Sequence, residues 1–226
     1  MIKGILLDLD NTLYEYEPLH NIALKPVQAY CQNTFHLSAD EFIQRFHQAK
    51  VQVKNQHLGM ASSHNRLLYM QKLCEILEVN PLRHALKLYN LYWDTFLEHL
   101  ELSNDGRSFF ETVAATQICL VTDLTSHIQY RKLDKLGLTH FVDAIVSSEE
   151  AGHEKPHPYP FLLALQKLKL KVHEVIMVGD HYEKDIVGAH SLGIKSYWLT
   201  HDTKGVVPEE GVVTIQYLED IPWQTH

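Results

Sequence analysis

Apolar residues fall in short, nearly continuous runs at Ile2–Leu9, Gln117–Thr122, Phe141–Ser147, Glu174–Val178, Ile194–Leu199 and Val212–Ile215. Runs of this length, rich in Ile, Leu and Val and without alternation, predict strands buried on both faces. Helical spacing follows most of them after a brief loop, and Glu183–Leu192 reads as a helix stopped by Gly193. Strands alternating with helices predict an α/β, Rossmann-like, doubly wound and mostly parallel sheet. In such a sheet ligands bind outside the carboxyl ends of the strands.

The first two runs are separated by a long segment with almost no strand signal. Ser38-Ala39-Asp40-Glu41 is a capping box, Ser62 or Ser63 is placed to cap the next helix, and Asn80-Pro81 opens a third. With Leu19–Phe35 these give about four antiparallel helices, an inserted helical bundle. The predicted division is a catalytic core at 1–14 and 103–226 and a helical cap domain at 15–102. Asn104-Asp105-Gly106 reads as the turn that returns the chain to the core.

Composition narrows the function. The chain has 226 residues, 45% of them hydrophobic, enough for a full core without disulfides. A formal charge of −8 with no basic stripe argues against nucleic acid as a partner. No apolar run has the length of a membrane span, and Met1–Asp10 does not resemble a signal peptide. Cys31, Cys74 and Cys119 form no CxxC pair. They read as reduced thiols of a cytoplasmic protein. Sixteen histidines invite a metal site, but no HExxH occurs, and Pro156 and Pro158 keep His153 and His157, although four apart, off one helical face.

The chemistry sits at the predicted strand ends. Asp8 and Asp10, separated by one residue, can converge on one point, and two such anions are costly together unless a cation relieves them. The second strand ends in Thr122-Asp123, which offers a hydroxyl and backbone N–H groups to a phosphate oxygen. Lys155, held by Pro156, is a candidate point cation for a phosphate. Asp180 stands at the fourth strand tip and Asp185 in the helix behind it, an arrangement suited to a hard divalent ion.

In order and spacing, Asp8-Leu9-Asp10-Asn11-Thr12-Leu13, the strand-terminal Thr122, Lys155-Pro156 and Gly179-Asp180 with Asp185-Ile186 resemble the four motifs of the haloacid dehalogenase superfamily. The resemblance implies an Mg²⁺-dependent phosphatase with Asp8 as nucleophile and Asp10 as general acid and base. Thr122, Asp123 and Lys155 would contact phosphate, Asp8, Asp10 and Asp180 would form the metal site, and Asp185 would support it. Asp123 stands where Asn is common, and His157 and His181 where small or acidic residues are usual. The helical insertion is similar to the family's first type of cap.

Because Asp10 is present to protonate an alkoxide, hydrolysis of a phosphate monoester through an aspartyl-phosphate is favoured over dehalogenation or phosphonate cleavage. A phosphomutase is the alternative within the family, and a non-catalytic phosphate- or metal-binding module the alternative outside it. The expected partner is a small phosphorylated metabolite: a phosphosugar, a sugar acid phosphate or a nucleoside monophosphate. Tyr14, Tyr16, His20 and Arg66 are the candidates for substrate specificity, Arg66 as a clamp for a carboxylate or a second phosphate.

Overall fold

The computed structural model describes residues 1–113, 116–200 and 208–222. Its elements are, in order, β1 (Gly4–Leu7), α1 (Tyr16–Phe35), α2 (Ala39–Gln56), α3 (Arg66–Ile76), α4 (Pro81–His99), α5 (Asn104–Thr112), β2 (Gln117–Thr122), α6 (Ser126–Leu136), β3 (Ala144–Ser147), α7 (Ser148–Ala151), α8 (Pro158–Leu168), β4 (Val175–Gly179), α9 (Gly188–His190), β5 (Lys195–Leu199) and β6 (Val212–Ile215). They form two compact units, Met1–Glu15 with Glu101–His226, and Tyr16–Leu100. No helix among the described residues is long and apolar enough to cross a membrane.

The first unit is built on a six-stranded sheet in the order β3-β2-β1-β4-β5-β6. Every pairing is parallel. All residues of β1 and β4 are buried. Successive side chains point to opposite faces, so both faces of these strands are covered. Leu6, Cys119, Val121, Val146, Phe161 and Met177 belong to one core cluster. Chain order reverses direction between β1 and β4, which makes their carboxyl ends the topological switch point. Leu7 lies opposite both Leu120 and Val178, so the residues just beyond these strands emerge side by side.

In the second unit, α4 packs on α1 and α3, and α2 on α3. Ser38 and Glu41 form the expected capping box, and Asn80 caps α4 with Pro81 in its first turn. Its core is aromatic: Phe42, Phe46, Tyr69, Tyr92, Trp93 and Phe96 are all buried. Burial of a Phe side chain contributes about 1.5–3 kcal/mol.

Three local expectations are corrected. Neither Ser62 nor Ser63 caps α3; both lie in a 3₁₀ turn at Ala61–His64, and the Asn65 carboxamide accepts from the Leu67 and Leu68 N–H groups instead. Asn104-Asp105-Gly106 is not an isolated turn but the start of α5, because the Ser103 hydroxyl accepts the Gly106 N–H and caps a helix there. Glu183–Leu192 is not a regular helix: a π-helical turn spans Tyr182–Val187 before the short α9.

Candidate active site

Asp8 follows β1 directly, and its N–H donates to Val178 O of β4 at 2.9 Å. That bond carries the β1–β4 ladder one step further and fixes Asp8 next to the end of β4. The loop beyond it turns through Asn11 at φ 65°, a left-handed conformation that Asn tolerates. The turn brings the Thr12 hydroxyl back to donate to Asp8 Oδ2 at 3.2 Å, with Asp180 Oδ1 at 3.4 Å.

Asp185 is brought in by the π-helical turn, a distortion frequent at functional sites. Its Oδ2 accepts the His181 N–H at 3.0 Å. Its carboxylate also packs against Gly179: an added Cβ there would lie 2.6 Å from Asp185 Cγ, so the strand end has no room for a side chain. Asp8, Asp180 and Asp185 each present a carboxylate oxygen within 4.8 Å of the others.

Lys155 reaches the same point from the loop after β3. Its buried Nζ donates to Asp8 Oδ1 at 2.6 Å and Val121 O at 2.8 Å. It also lies 2.6 Å from Asp185 Oδ1, an ion pair not aligned as a hydrogen bond. Burial first, and then the neighbouring carboxylates of Asp185 and Asp180, outweigh this ammonium and hold Asp8 well above the ordinary carboxylate range. Burial and Asp185 push Asp180 up to about 6. The site thus concentrates negative charge that one lysine does not balance, and its donors are all hard carboxylate oxygens, the set a divalent cation takes.

Asp10 is not among the three carboxylates within 4.8 Å of one another, but its charge still reaches Asp8 and Asp180. Its Oδ1 accepts from Lys132 Nζ at 2.6 Å and from the Tyr14 hydroxyl. Lys132, on α6, is fully buried. Burial alone would raise Asp10, but the Lys132 charge and these hydrogen bonds hold it below the ordinary carboxylate range. The carboxylates gathered in space are therefore Asp8, Asp180 and Asp185, whereas the sequence reading grouped Asp8, Asp10 and Asp180. The structure puts Asp10 against a lysine that reading did not single out.

Thr122 is buried at the end of β2, where its hydroxyl accepts from Gln129 Nε2 at 2.5 Å. The Asp123 carboxylate accepts the Lys155 N–H at 3.0 Å through Oδ1 and pairs with Lys184 at 2.9 Å through Oδ2. Its side chain thus anchors the Lys155 backbone. His157 and His181 act as caps: their Nδ1 atoms accept from the Tyr159 and Lys184 N–H groups. Among the specificity candidates, Tyr14 is buried in the sheet-bearing unit and serves Asp10. Tyr16, His20 and Arg66 lie together in the helical unit, with Arg66 donating to the Tyr16 hydroxyl and His20 Nδ1 2.7 Å from Tyr92 Oη.

An acidic nucleophile candidate, a buried lysine on it and two further carboxylates at a parallel-sheet switch point define a hydrolase-type centre with a place for a cation. The family model described as haloacid dehalogenase-like hydrolase matches residues 2–193. The chain belongs to that family. It is 37% identical over 203 residues to a ribulose-1,5-bisphosphate 5-phosphatase of Halopiger xanaduensis, covering 87% of this chain and 84% of that one. It is 28% identical to a glyceraldehyde 3-phosphate phosphatase of Methanocaldococcus jannaschii, covering 86% and 83%. Among solved structures, a phosphatase of the same superfamily from Thermococcus onnurineus superposes with a TM-score of 0.71 at 21% identity, covering 97% of this chain and 95% of that one.

Proposed function

We propose that this phosphate monoester hydrolase attacks phosphorus with Asp8, works with Mg²⁺ held at Asp8, Asp180 and Asp185, and acts on small phosphorylated sugars. The observation that carries the reading is Lys155, one buried ammonium bonded to Asp8 and paired with Asp185 at the switch point. Three carboxylates against one ammonium leave two negative charges, which matches a divalent ion. When bound, the ion supplies positive charge to the nucleophile and to the phosphoryl oxygens.

Asp8 displaces the alkoxide in line and becomes an aspartyl phosphate, dividing the reaction into two easier steps. Thr12 and Lys155 hold the attacking carboxylate in one orientation, and the Lys155 ammonium offsets phosphoryl charge. Asp10, ionised beside Lys132, takes a proton from the water that cleaves the acyl phosphate, and in the first step it must first bind a proton, against the pull of Lys132, before giving it to the departing oxygen. Lys132 and Tyr14 position Asp10 and stabilise its ionised form, the form required in the second step. The named activities of the two relatives support sugar phosphates as the substrate class. The three free, buried cysteines agree with a reducing, cytoplasmic setting.

The test is a panel of sugar phosphates, sugar acid phosphates and nucleoside monophosphates read by phosphate release, with Mg²⁺ and with excess chelator. Release from sugar phosphates that stops in chelator is expected. Full turnover in chelator would overturn the metal assignment, and phosphoryl transfer without release would make the protein a mutase.

A further inference from the structure

Lys184 ties together the loops that follow three different strands. It lies in the π-helical turn after β4, one residue before Asp185. Its Nζ stands 2.9 Å from Asp123 Oδ2, in the loop after β2, and 3.3 Å from Glu154 Oε2, in the loop after β3. The two acids are withdrawn from solvent, with side-chain exposures of 12% for Asp123 and 9% for Glu154. Removing one partner from such a pair costs far more than it does on an open surface.

The backbone of Lys155 depends on this arrangement. Asp123 Oδ1 accepts the Lys155 N–H at 3.0 Å while Oδ2 faces Lys184. A carboxylate serves both donors, whereas an asparagine there has one acceptor oxygen and would turn its amide N–H groups toward the ammonium. Glu154 directly precedes Lys155 in the chain, so the same lysine is held from two sides. The following residue is held by packing: an added Cβ at Gly188 would lie 3.0 Å from Pro156 Cα, so this loop rests against the segment just after Lys184. From that fixed backbone the flexible stem of Lys155 delivers its Nζ to Asp8 Oδ1 at 2.6 Å and to Val121 O at 2.8 Å. A misplacement of about 1 Å at such a group can cost about 100-fold in rate.

We propose that Lys184 is a positioning residue for Lys155: by pairing with Asp123 and Glu154 it sets where the Lys155 ammonium meets Asp8, and Asp123 and Lys184 work as one coupled unit. This rests on the role given to Lys155 under the proposed function. Lys184 acts through the two acids, not on the phosphoryl group. The coupling has a definite sign. With Lys184 in place, Asp123→Asn turns an attraction into a repulsion. With its ammonium gone, the same change removes one of two carboxylates that no longer share a cation.

The experiment uses the full chain, as wild type, Lys184→Met, Asp123→Asn, the double variant carrying both changes, and Lys155→Met. kcat and KM are read with p-nitrophenyl phosphate at saturating Mg²⁺, at a temperature where circular dichroism shows every variant folded. Lys184→Met should lose about 30-fold in kcat, with KM within about threefold of wild type. Asp123→Asn should lower kcat about tenfold on its own, yet raise it about threefold when added to Lys184→Met. A kcat for Lys184→Met within about threefold of wild type, a change confined to KM, or losses that multiply in the double variant would overturn the proposal. Should Lys184→Met fail to fold, Lys184→Gln, whose amide still donates to one carboxylate, takes its place in the same cycle. Lys155→Met separates the two readings. If it keeps its kcat, the role of Lys155 falls and the positioning role with it; if it alone is impaired, only the positioning role of Lys184 falls.

Discussion

Lys155→Met keeps most of the side chain's length and apolar stem while removing its charge, so it isolates what the ammonium does. In the wild type that group lies 2.6 Å from both Asp8 and Asp185 and donates to Val121 O at 2.8 Å. Without it two buried carboxylates face each other with Asp180 alongside, and a backbone carbonyl loses its donor. Removing one partner of a buried ion pair costs about 3–5 kcal/mol. The carboxylates can escape part of this by taking up a proton, since Asp8 is already held well above its ordinary range by burial and by its acidic neighbours. The folded variant then binds more protons than the folded wild type, so its deficit in stability must grow as pH rises. For catalysis, loss of a positioned electrostatic group lowers kcat by about 10²–10³. Urea unfolding of metal-free protein at pH 5 and pH 8 gives the first quantity, and turnover on a sugar phosphate at saturating Mg²⁺ the second. A stability deficit independent of pH, or a kcat within tenfold of wild type, would refute the role assigned to Lys155.

Lys132→Met releases Asp10 from its buried partner and should lower turnover about 100-fold on alkyl phosphates. The fall should appear in breakdown of the aspartyl phosphate, the step that needs ionised Asp10, and so be similar on an aryl phosphate that passes through the same intermediate; an unchanged breakdown rate would contradict the role assigned to Lys132. Gly179→Ala places a Cβ against the Asp185 carboxylate and should cost about 1–3 kcal/mol as well as activity. An unchanged thermal midpoint and kcat would show that Asp185 has room to move. His20 is neutral in the fold, at about 3, and ordinary when unfolded, so the unfolded chain binds more protons and stability falls as pH drops below 6.5. The loss is about 2 kcal/mol by pH 5; denaturant unfolding at pH 7 and pH 5 should show it in wild type and not in His20→Gln.

The sheet was readable because its central strands are buried on both faces and carry little but Ile, Leu, Val, Met and Cys, a pattern solvent-facing segments do not produce. Helix starts were readable where a cap stands alone, as at Ser38 and Asn80, and misread at Ser62, where a 3₁₀ turn intervenes and Asn65 takes over. Lys132 was illegible for another reason. It lies 122 positions from Asp10, on a helix whose charged residues look like a solvated face, and only the pairing of β1 with β2 brings the two regions together. The engagement of Asp123 by Lys184 and the burial of Arg66 among aromatic rings are likewise tertiary facts with no local signature. The histidine caps at His157 and His181 explain two residues that had stood out only as unusual.

The central claim is that the Asp8 carboxylate makes and loses a bond to phosphorus, and quenched single-turnover mass spectrometry tests it most directly. Wild type mixed with excess sugar phosphate and Mg²⁺, quenched in acid within one turnover and digested, should carry a phosphoryl group on the peptide containing Asp8. Asp8→Asn should carry none and release no phosphate. Sustained hydrolysis by Asp8→Asn, or a phosphoryl group found on another residue and formed as fast as turnover, would contradict the account.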